Sequence, residues 1–400
     1  MEFDTAELAS LLAAVLPDVV AWRRHLHAHP EVSFHERETS AYVFETLQQF
    51  QGLQLTRPTE TSVVARLIGA GHGPVLALRA DMDALPITEE NDVAYRSRRP
   101  GAMHACGHDA HTAMLLGTAK VLLALRDRFQ GEVRFIFQPA EELPPGGAEP
   151  LCESGVMDGV DAVVGAHVWT PLPVGTLALR AGALMASSDT FEVTIRGRGG
   201  HAAQPHIGVD SLLVAAETIV NLQHIVSRNS DPLQPLVVSV TQVRAGTANN
   251  VIPEEAVFAG TVRSFDPELR RQVPGMLERI VRGVTEAHGA SYELRYDFGY
   301  RPVVNDARIT GLVRDALLER FGPDAVIEPE PSMGGEDFSA YLAKAPGAFF
   351  FLGAGNAAKG LVFPHHSARF DIDEDVLRIG LEAEVRTALH LMSRLAADGN

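Results

Sequence analysis

The sequence predicts an α/β protein, with a mainly parallel central sheet covered by helices and a ferredoxin-like βαββαβ unit inserted into it. Three observations predict this. The runs 75–79 (VLALR), 133–137 (VRFIF) and 162–168 (AVVGAHV) are almost continuously apolar, which suits strands covered on both faces. An Ala- and Leu-rich stretch, 110–125, lies between the first two and reads as a helix, so strand, helix and strand alternate. From about residue 185 the style changes to alternating strands and two long amphipathic helices, and it changes back near 296.

The elements follow in chain order. Residues 6–29 carry Leu8, Leu11, Leu12, Val15, Val19 and Leu26 at helical spacing, and Pro17 is expected to kink or split that helix. It ends in the His-rich run from His25 to Glu31. A second helix fits 36–50 through Tyr42, Val43, Leu47 and Phe50. In the middle of the chain 191–196 (FEVTIR) alternates as a strand, 210–227 is a helix, and 236–243 and 256–263 are strands. A helix over 269–288 follows, with Pro274 expected to bend it or mark its true start, and 291–296 is a strand. That order, β-α-β-β-α-β, is the split βαβ pattern. It divides the chain into a first domain of 1–184 and 296–400 and an inserted domain of 185–295. A helix over 306–321, an apolar run 348–352 and a final helix 373–395 complete the first domain.

Composition excludes several classes. With 46% hydrophobic and 21% charged residues the chain is neither disordered nor, with unperiodic Gly and Pro, collagen-like. No apolar run approaches the ~20 residues of a membrane span. The opening MEFDTAELAS is acidic and lacks the basic start of a secretory signal. Lys plus Arg number 34 against 51 for Asp plus Glu, a formal charge of −17, so nucleic acid is not an expected partner. Two cysteines, Cys106 and Cys152, cannot make a disulfide framework; a reducing cytoplasm is the expected compartment.

The chemistry-bearing residues sit at strand ends. Strand 75–79 runs into Asp81 and Asp83, which point the same way in an extended chain. Met103–His111 packs His104, Cys106, His108, Asp109 and His111 ahead of a helix, whose positive end is expected to lower the Cys106 pKa. Thiolate and imidazole two residues apart suit Zn²⁺ and related ions, while His104 and His111 could support them or simply be exposed. Strand 133–137 ends in Glu141 and Glu142; one of two adjacent carboxylates can bind metal while its neighbour faces the water. His167 lies near the end of strand 162–168, and His365 and His366 follow a later apolar run. Taken singly, each has a plain reading: a turn-capping acid pair, a buried Cys with Asp109 as helix cap, a solvated acidic pair, a hydrogen-bonded core histidine. Together they gather at the carboxyl ends of predicted parallel strands, where open α/β sheets bind ligands. Cys106, His108, Glu142, His167 and His366 are too many for one tetrahedral ion and fit two metals that share a bridging ligand. Such a pair, ~3.5–4 Å apart, binds a bridging hydroxide and polarises a carbonyl. The sequence lacks His-Glu-x-x-His, a phosphate loop and a Gly-x-Ser-x-Gly elbow. In the inserted unit, His201 in a Gly-rich loop could donate to an oxyanion, and Asn250 could serve as a further donor to substrate.

These motifs resemble, in order and spacing, the amidohydrolase branch of the M20 metallopeptidase family, which includes hippurate hydrolases, N-acyl-amino-acid amidohydrolases and auxin-conjugate hydrolases. The likeness runs from Trp22–His27 through Ala80–Pro86, Met103–His111, Gln138–Glu142, Gly165–Trp169, Gly199–His206, Asn250–Pro253 and Gly335–Phe338 to His366-Ser367. Two departures stand out: Ala368 follows Ser367 where the family often has Pro, and Leu-Pro-Pro follows Glu142. The resemblance implies a two-metal catalytic domain and a lid that also serves in dimerisation, giving a homodimer or homotetramer. It implies that Cys106 bridges the ions, with His108, Glu142, His167 and His366 as the other ligands, though His365 beside His366 leaves that last position open by one residue. Glu141 would be the general base, Asp83 would orient a ligand, and His201 would stabilise the oxyanion in its own or a neighbouring subunit's site. The cofactors implied are two divalent ions, Zn²⁺ or Mn²⁺ first and Co²⁺ or Ni²⁺ next.

The expected activity is hydrolysis of the amide of a small N-acyl amino acid. A dipeptidase or aminopeptidase using the same metals is the alternative; it would need a carboxylate to hold a free α-amino group. A metal-binding protein without activity is the third reading, and it leaves the retention of Glu141 beside five ligand types unexplained.

Overall fold

The computed structural model describes residues 5–398, so the start of the acidic N-terminal stretch, 1–4, lies outside the described residues. Helix α1 spans Thr5–Ala28 and α2 spans Arg37–Gln48. Pro17 does not split α1: the carbonyl it leaves without a donor belongs to Ala13, and both residues lie on the exposed face, where water can replace the lost bond. Strands β1 (Gln54–Thr56), β2 (Val63–Ile68) and β3 (Val75–Asp81) follow, then α3 (His108–Ala124), β4 (Glu132–Gln138), β5 (Ala162–Pro173) and β6 (Leu177–Ala178). Next come β7 (Ser188–Arg196), α4 (Ser211–His224), β8 (Leu236–Ala245), β9 (Glu255–Ser264), α5 (Pro267–His288) and β10 (Ser291–Tyr300). The chain closes with α6 (Ala307–Phe321), β11 (Val326–Ile327), β12 (Gly347–Gly355) and α7 (Asp375–Asp398). It forms two compact units, one of Met1–Gly182, Val304–Glu330 and Asp337–Asn400, the other of Ala183–Val303 and Pro331–Glu336.

The first unit is built on an eight-stranded sheet in the order β1-β2-β4-β3-β5-β12-β6-β11. Its centre, β4-β3-β5-β12, is parallel as expected. The expectation of a mainly parallel sheet is corrected at the flanks: β1, β2 and β4 pair antiparallel, and so do β12 and β6. The link 57–62 between β1 and β2 is hairpin-length, too short for the crossover a parallel neighbour needs, and the short link 174–176 turns β6 back against β5 and so against β12, which runs parallel to β5. β4 and β12 are buried at every position; β12 is apolar throughout, whereas β4 also buries Gln138 and the pair Glu132 and Arg134, 2.9 Å apart. Phe135, Phe137, Phe349, Phe350 and Phe351 lie in this core, each stabilising it by roughly 1.5–3 kcal/mol on burial. Helix α3 is buried almost throughout because α1, α7 and the sheet surround it.

The second unit is a four-stranded antiparallel sheet, β8-β9-β7-β10, with α4 and α5 packed against it over Phe191, Val193, Ile195, Phe258, Leu277 and Val281. Pro274 neither starts nor ends α5. The start is set earlier, by the Asp266 side chain accepting the Leu269 N–H at 2.7 Å and by Pro267 in the first turn. Among the described residues no helix is long and apolar enough to cross a membrane.

Candidate metal centre

Because β3, β4 and β5 run parallel, their carboxyl ends open on one edge, and the polar residues gather there. β3 delivers Asp81 and, just beyond it, Asp83. The turn after β4 delivers Glu141 and Glu142. His167 lies inside β5 rather than at its end, two residues past Gly165, the last to pair with β3. Cys106 and His108 flank Gly107, whose φ of 91° is left-handed and where a Cβ would collide with the Val168 side chain; only glycine fits that start of α3. His366 also has a left-handed φ, 65°, and its N–H donates to the Ala105 carbonyl at 2.8 Å, which docks the distant 366 segment beside Cys106.

Among the described residues five sets of side chains bring one donor atom each within 4.8 Å of one another; three of them join the predicted residues: Cys106, His108 and His167; Cys106, Glu142 and His366; and His108, Glu141 and Glu142. Cys106 Sγ is 3.4 Å from His167 Nε2, and Glu142 Oε1 is 3.2 Å from His366 Nε2 and 3.9 Å from His108 Nε2. All the donors except His366 are largely buried. His108 Nε2 and Glu142 Oε1 are buried with no hydrogen-bond partner, a costly arrangement unless an ion completes it. The donor set of thiol, imidazole and carboxylate fits a divalent transition metal.

The partners of each ring decide which nitrogen faces the cluster. Asp83 Oδ1 lies 3.2 Å from His108 Nδ1, placing the proton there and leaving Nε2 for a ligand. The same carboxylate accepts the N–H groups of Glu141 and Glu142, each at 3.0 Å, so it orients three candidate residues at once. His167 Nδ1 donates to the Val168 carbonyl at 2.6 Å, which turns Nε2 toward Cys106. His365 Nε2 is spent on that same carbonyl at 2.9 Å, whereas His366 Nε2 stays in the cluster. His104 and His111 are both buried, so neither is the exposed residue the sequence allowed. Both His111 nitrogens are occupied, by Asp81 Oδ1 at 2.6 Å and the Val168 N–H at 2.8 Å. Asp109 is not a helix cap. It pairs with Arg23 at 2.9 Å and His27 at 2.8 Å, both fully buried.

The electrostatics match a cation site. Burial would depress His108, but Asp81, Asp83 and Glu142 outweigh it and push its pKa up to about 10, so the cradle favours positive charge. Burial, followed by the neighbouring histidines His111 and His365, pulls His167 well down, keeping its ring neutral and its lone pair available. Cys106 corrects the expectation of a lowered thiol: burial, then Glu142, Glu141 and Asp81, push it well up and outweigh any help from α3. A thiolate there requires a cation against the sulfur.

The layer beneath leaves little trace in the sequence. Arg79 donates to Asp81 at 2.7 Å, to Gln138 at 2.8 Å and to Asp337 at 2.9 Å, and Ser33 donates to Asp83 Oδ2 at 2.7 Å. Only a charged residue inside an apolar strand, Arg79, could have signalled it. His201 and Asn250 lie in the second unit. Gly200–His201 pairs antiparallel with Val251–Ile252, and the Ala202 N–H donates to the Asn250 carbonyl at 3.0 Å, which brings His201 and Asn250 together. His201 Nδ1 accepts the Ala203 N–H at 3.0 Å, so Nε2 carries the ring proton.

An α/β scaffold with such a cluster at the carboxyl ends of its parallel strands is the build of a metal-dependent hydrolase. The model of peptidase family M20/M25/M40 matches residues 77–390, and the chain belongs to that family. It is 60% identical over 299 residues to an N-acyl-L-amino acid amidohydrolase of Geobacillus stearothermophilus, covering 75% of this chain and 81% of that one. It is 44% identical over 368 residues to an N-acetyl-L-cysteine deacetylase of Bacillus subtilis, covering 92% and 86%. Among solved structures, a Bacillus subtilis protein described as a dinuclear metal binding peptidase of the M20 family superposes with a TM-score of 0.84 at 37% identity, covering 95% of this chain and 99% of that one. The chain is thus a metal-dependent hydrolase of amide bonds.

Proposed function

We propose that this protein hydrolyses the amide of N-acyl amino acids, releasing a carboxylic acid and a free amino acid. The observation that carries the reading is that Cys106 belongs to two donor sets, one with His108 and His167 and one with Glu142 and His366. Two divalent ions, Zn²⁺ or Mn²⁺ first and Co²⁺ or Ni²⁺ next, would be held there by Cys106, His108, Glu142, His167 and His366, with Cys106 common to both donor sets. Such ions supply an acidified water and polarise the amide carbonyl. Glu141, whose carboxylate lies within 4.8 Å of the His108 and Glu142 donors, takes a proton from the attacking water. It then gives that proton to the leaving nitrogen as the C–N bond breaks. Asp83 holds the backbone of Glu141 and Glu142 and the His108 ring in place.

The second unit is read as a ferredoxin-like lid and dimerisation domain, giving a homodimer or homotetramer. Its βαββαβ order supports the first part; Leu213 and Val220, exposed seven residues apart on α4, and the edge position of β8 support the second. With a proton on Nε2, His201 is equipped to donate to the tetrahedral oxyanion, in its own or a neighbouring subunit's site, and Asn250 to a substrate oxygen. The compartment proposed is the cytoplasm.

The test is a panel of N-acetyl, N-benzoyl and indoleacetyl amino acids, with a dipeptide and its N-acetyl form for contrast. A chelator should abolish turnover and Mn²⁺ or Zn²⁺ should restore it. Glu141→Gln should keep its metal while kcat falls by roughly 10²–10⁴. An active Glu141→Gln variant would refute the base assignment, and a dipeptide cleaved faster than its N-acetyl form would favour the peptidase reading.

A further inference from the structure

The reaction outlined above makes no use of Glu36, yet this carboxyl is fully buried and touches the backbone from which Glu141 and Glu142 project. Glu36 immediately precedes α2. Its Oε1 accepts the Phe34 N–H at 2.9 Å and the Ala140 N–H at 2.8 Å, while Oε2 is buried with no hydrogen-bond partner. Both residues whose N–H groups it holds have left-handed backbone, Phe34 with φ 66° and Ala140 with φ 54°. A residue with a Cβ adopts that conformation only where its surroundings impose it. The Ala140 carbonyl is tied as well, accepting the Gly147 N–H at 3.1 Å. The next two N–H groups, of Glu141 and Glu142, are those bound by Asp83. The segment that carries Glu36 also carries Ser33, whose hydroxyl donates to Asp83, so it reaches the carboxylate pair at two points.

We propose that Glu36 is a positioning residue whose buried carboxyl holds Ala140 in the left-handed conformation and so sets the directions of Glu141 and Glu142. The inference rests on the roles proposed above for those two glutamates. A change at Ala140 to negative φ would rotate the following peptides and draw their N–H groups away from Asp83. Burial pushes the Glu36 carboxyl up to about 7, but the clamp needs only an acceptor oxygen, which a neutral carboxyl or an amide also provides.

The experiment titrates metal-free protein with Co²⁺, followed by its visible absorption, and measures kcat and KM on an N-acyl amino acid. E36A should bind Co²⁺ roughly 10-fold more weakly, with kcat lowered by roughly 10–100-fold and KM little changed. E36Q should stay within about threefold of the parent, because the amide oxygen can accept both N–H groups. The decisive variant is E36A/A140G: glycine takes positive φ without steric cost, so Co²⁺ affinity and kcat should return to within about threefold of the parent. An E36A variant with the parent's Co²⁺ affinity and spectrum overturns the proposal. So does an E36A/A140G variant no better than E36A. If E36A fails to fold, rescue of folding and Co²⁺ binding by A140G supports the clamp, and failure of both variants overturns it. A parent that hydrolyses no N-acyl amino acid would defeat the reading of the site, and the Co²⁺ titration would still decide the clamp.

Discussion

His108 and Asp109 are neighbours at the start of α3, and they serve two buried polar regions of opposite character. On the His108 side, donor atoms from four separate segments converge, and two of them, His108 Nε2 and Glu142 Oε1, have no hydrogen-bond partner. On the Asp109 side, Arg23 Nε and Asp109 Oδ1 also lack a hydrogen bond, but the carboxylates already lie against cations of the chain itself. Arg23 pairs with Asp109 and Asp371, His27 lies between Asp109 and Glu89, and Tyr95 donates to Asp371 at 2.8 Å. In the function proposed here the first region takes a cation from outside, whereas the second supplies its own. His104 refines the lesson. Both of its ring nitrogens are buried without partners, but it belongs to none of the donor sets, and burial pulls its pKa down to about 4. An unpaired nitrogen marks a ligand only where other donors converge on it.

The sharpest way to break this contrast is to remove one member from each side. His108→Ala should lose metal and bring activity below detection in metal analysis and assay, while the fold persists in circular dichroism. Arg23→Met should do the reverse. It leaves the buried Asp109 short of its cation, so urea unfolding should show a loss of about 3–5 kcal/mol while folded protein keeps its metal. If Arg23→Met proves neutral in stability and loses metal instead, the two regions are not distinct.

A smaller effect comes from pH. Burial and Arg23 pull His27 down, but Asp109 and Glu89 outweigh them and raise its folded pKa above the ordinary ~6.5. Its stabilisation is therefore complete below about 6.5 and is lost as pH rises through the folded value. Unfolding midpoints from pH 6 to 9 should fall in the parent, and His27→Gln should lack that part of the slope. Equal slopes would mean that His27 is not held as a cation. The smallest effect is expected at His104. Replacing a ring whose nitrogens are unpaired with an apolar side chain removes a desolvation cost, so His104→Leu should shift stability by about 1 kcal/mol or less and keep its metal. Metal loss in that variant would place His104 among the donors.

Much of this architecture was legible in the chain. The apolar runs mark β3, β4, β5 and β12, since strands covered on both faces are apolar over most of their length, even though β3 and β4 also bury Arg79, Glu132, Arg134 and Gln138. The short flanking strands β6 and β11 leave no such trace, because two residues carry no period. Donor types were legible as well: Cys106, His108, Glu142, His167 and His366 could be named because thiol, imidazole and carboxylate are rare together at strand ends.

Residue order by itself determined which donors exist and which segments carry them, because side-chain chemistry and hydrophobic period are local properties. Tertiary structure alone decided which histidine nitrogen faces the cluster, that His365 bonds a carbonyl while His366 does not, and that Asp109 belongs to Arg23. It also decided the left-handed turns at Ala140 and His366. These depend on hydrogen bonds from segments far apart in the chain, and the free energy that holds an unfavourable backbone angle comes from those partners rather than from the residue itself.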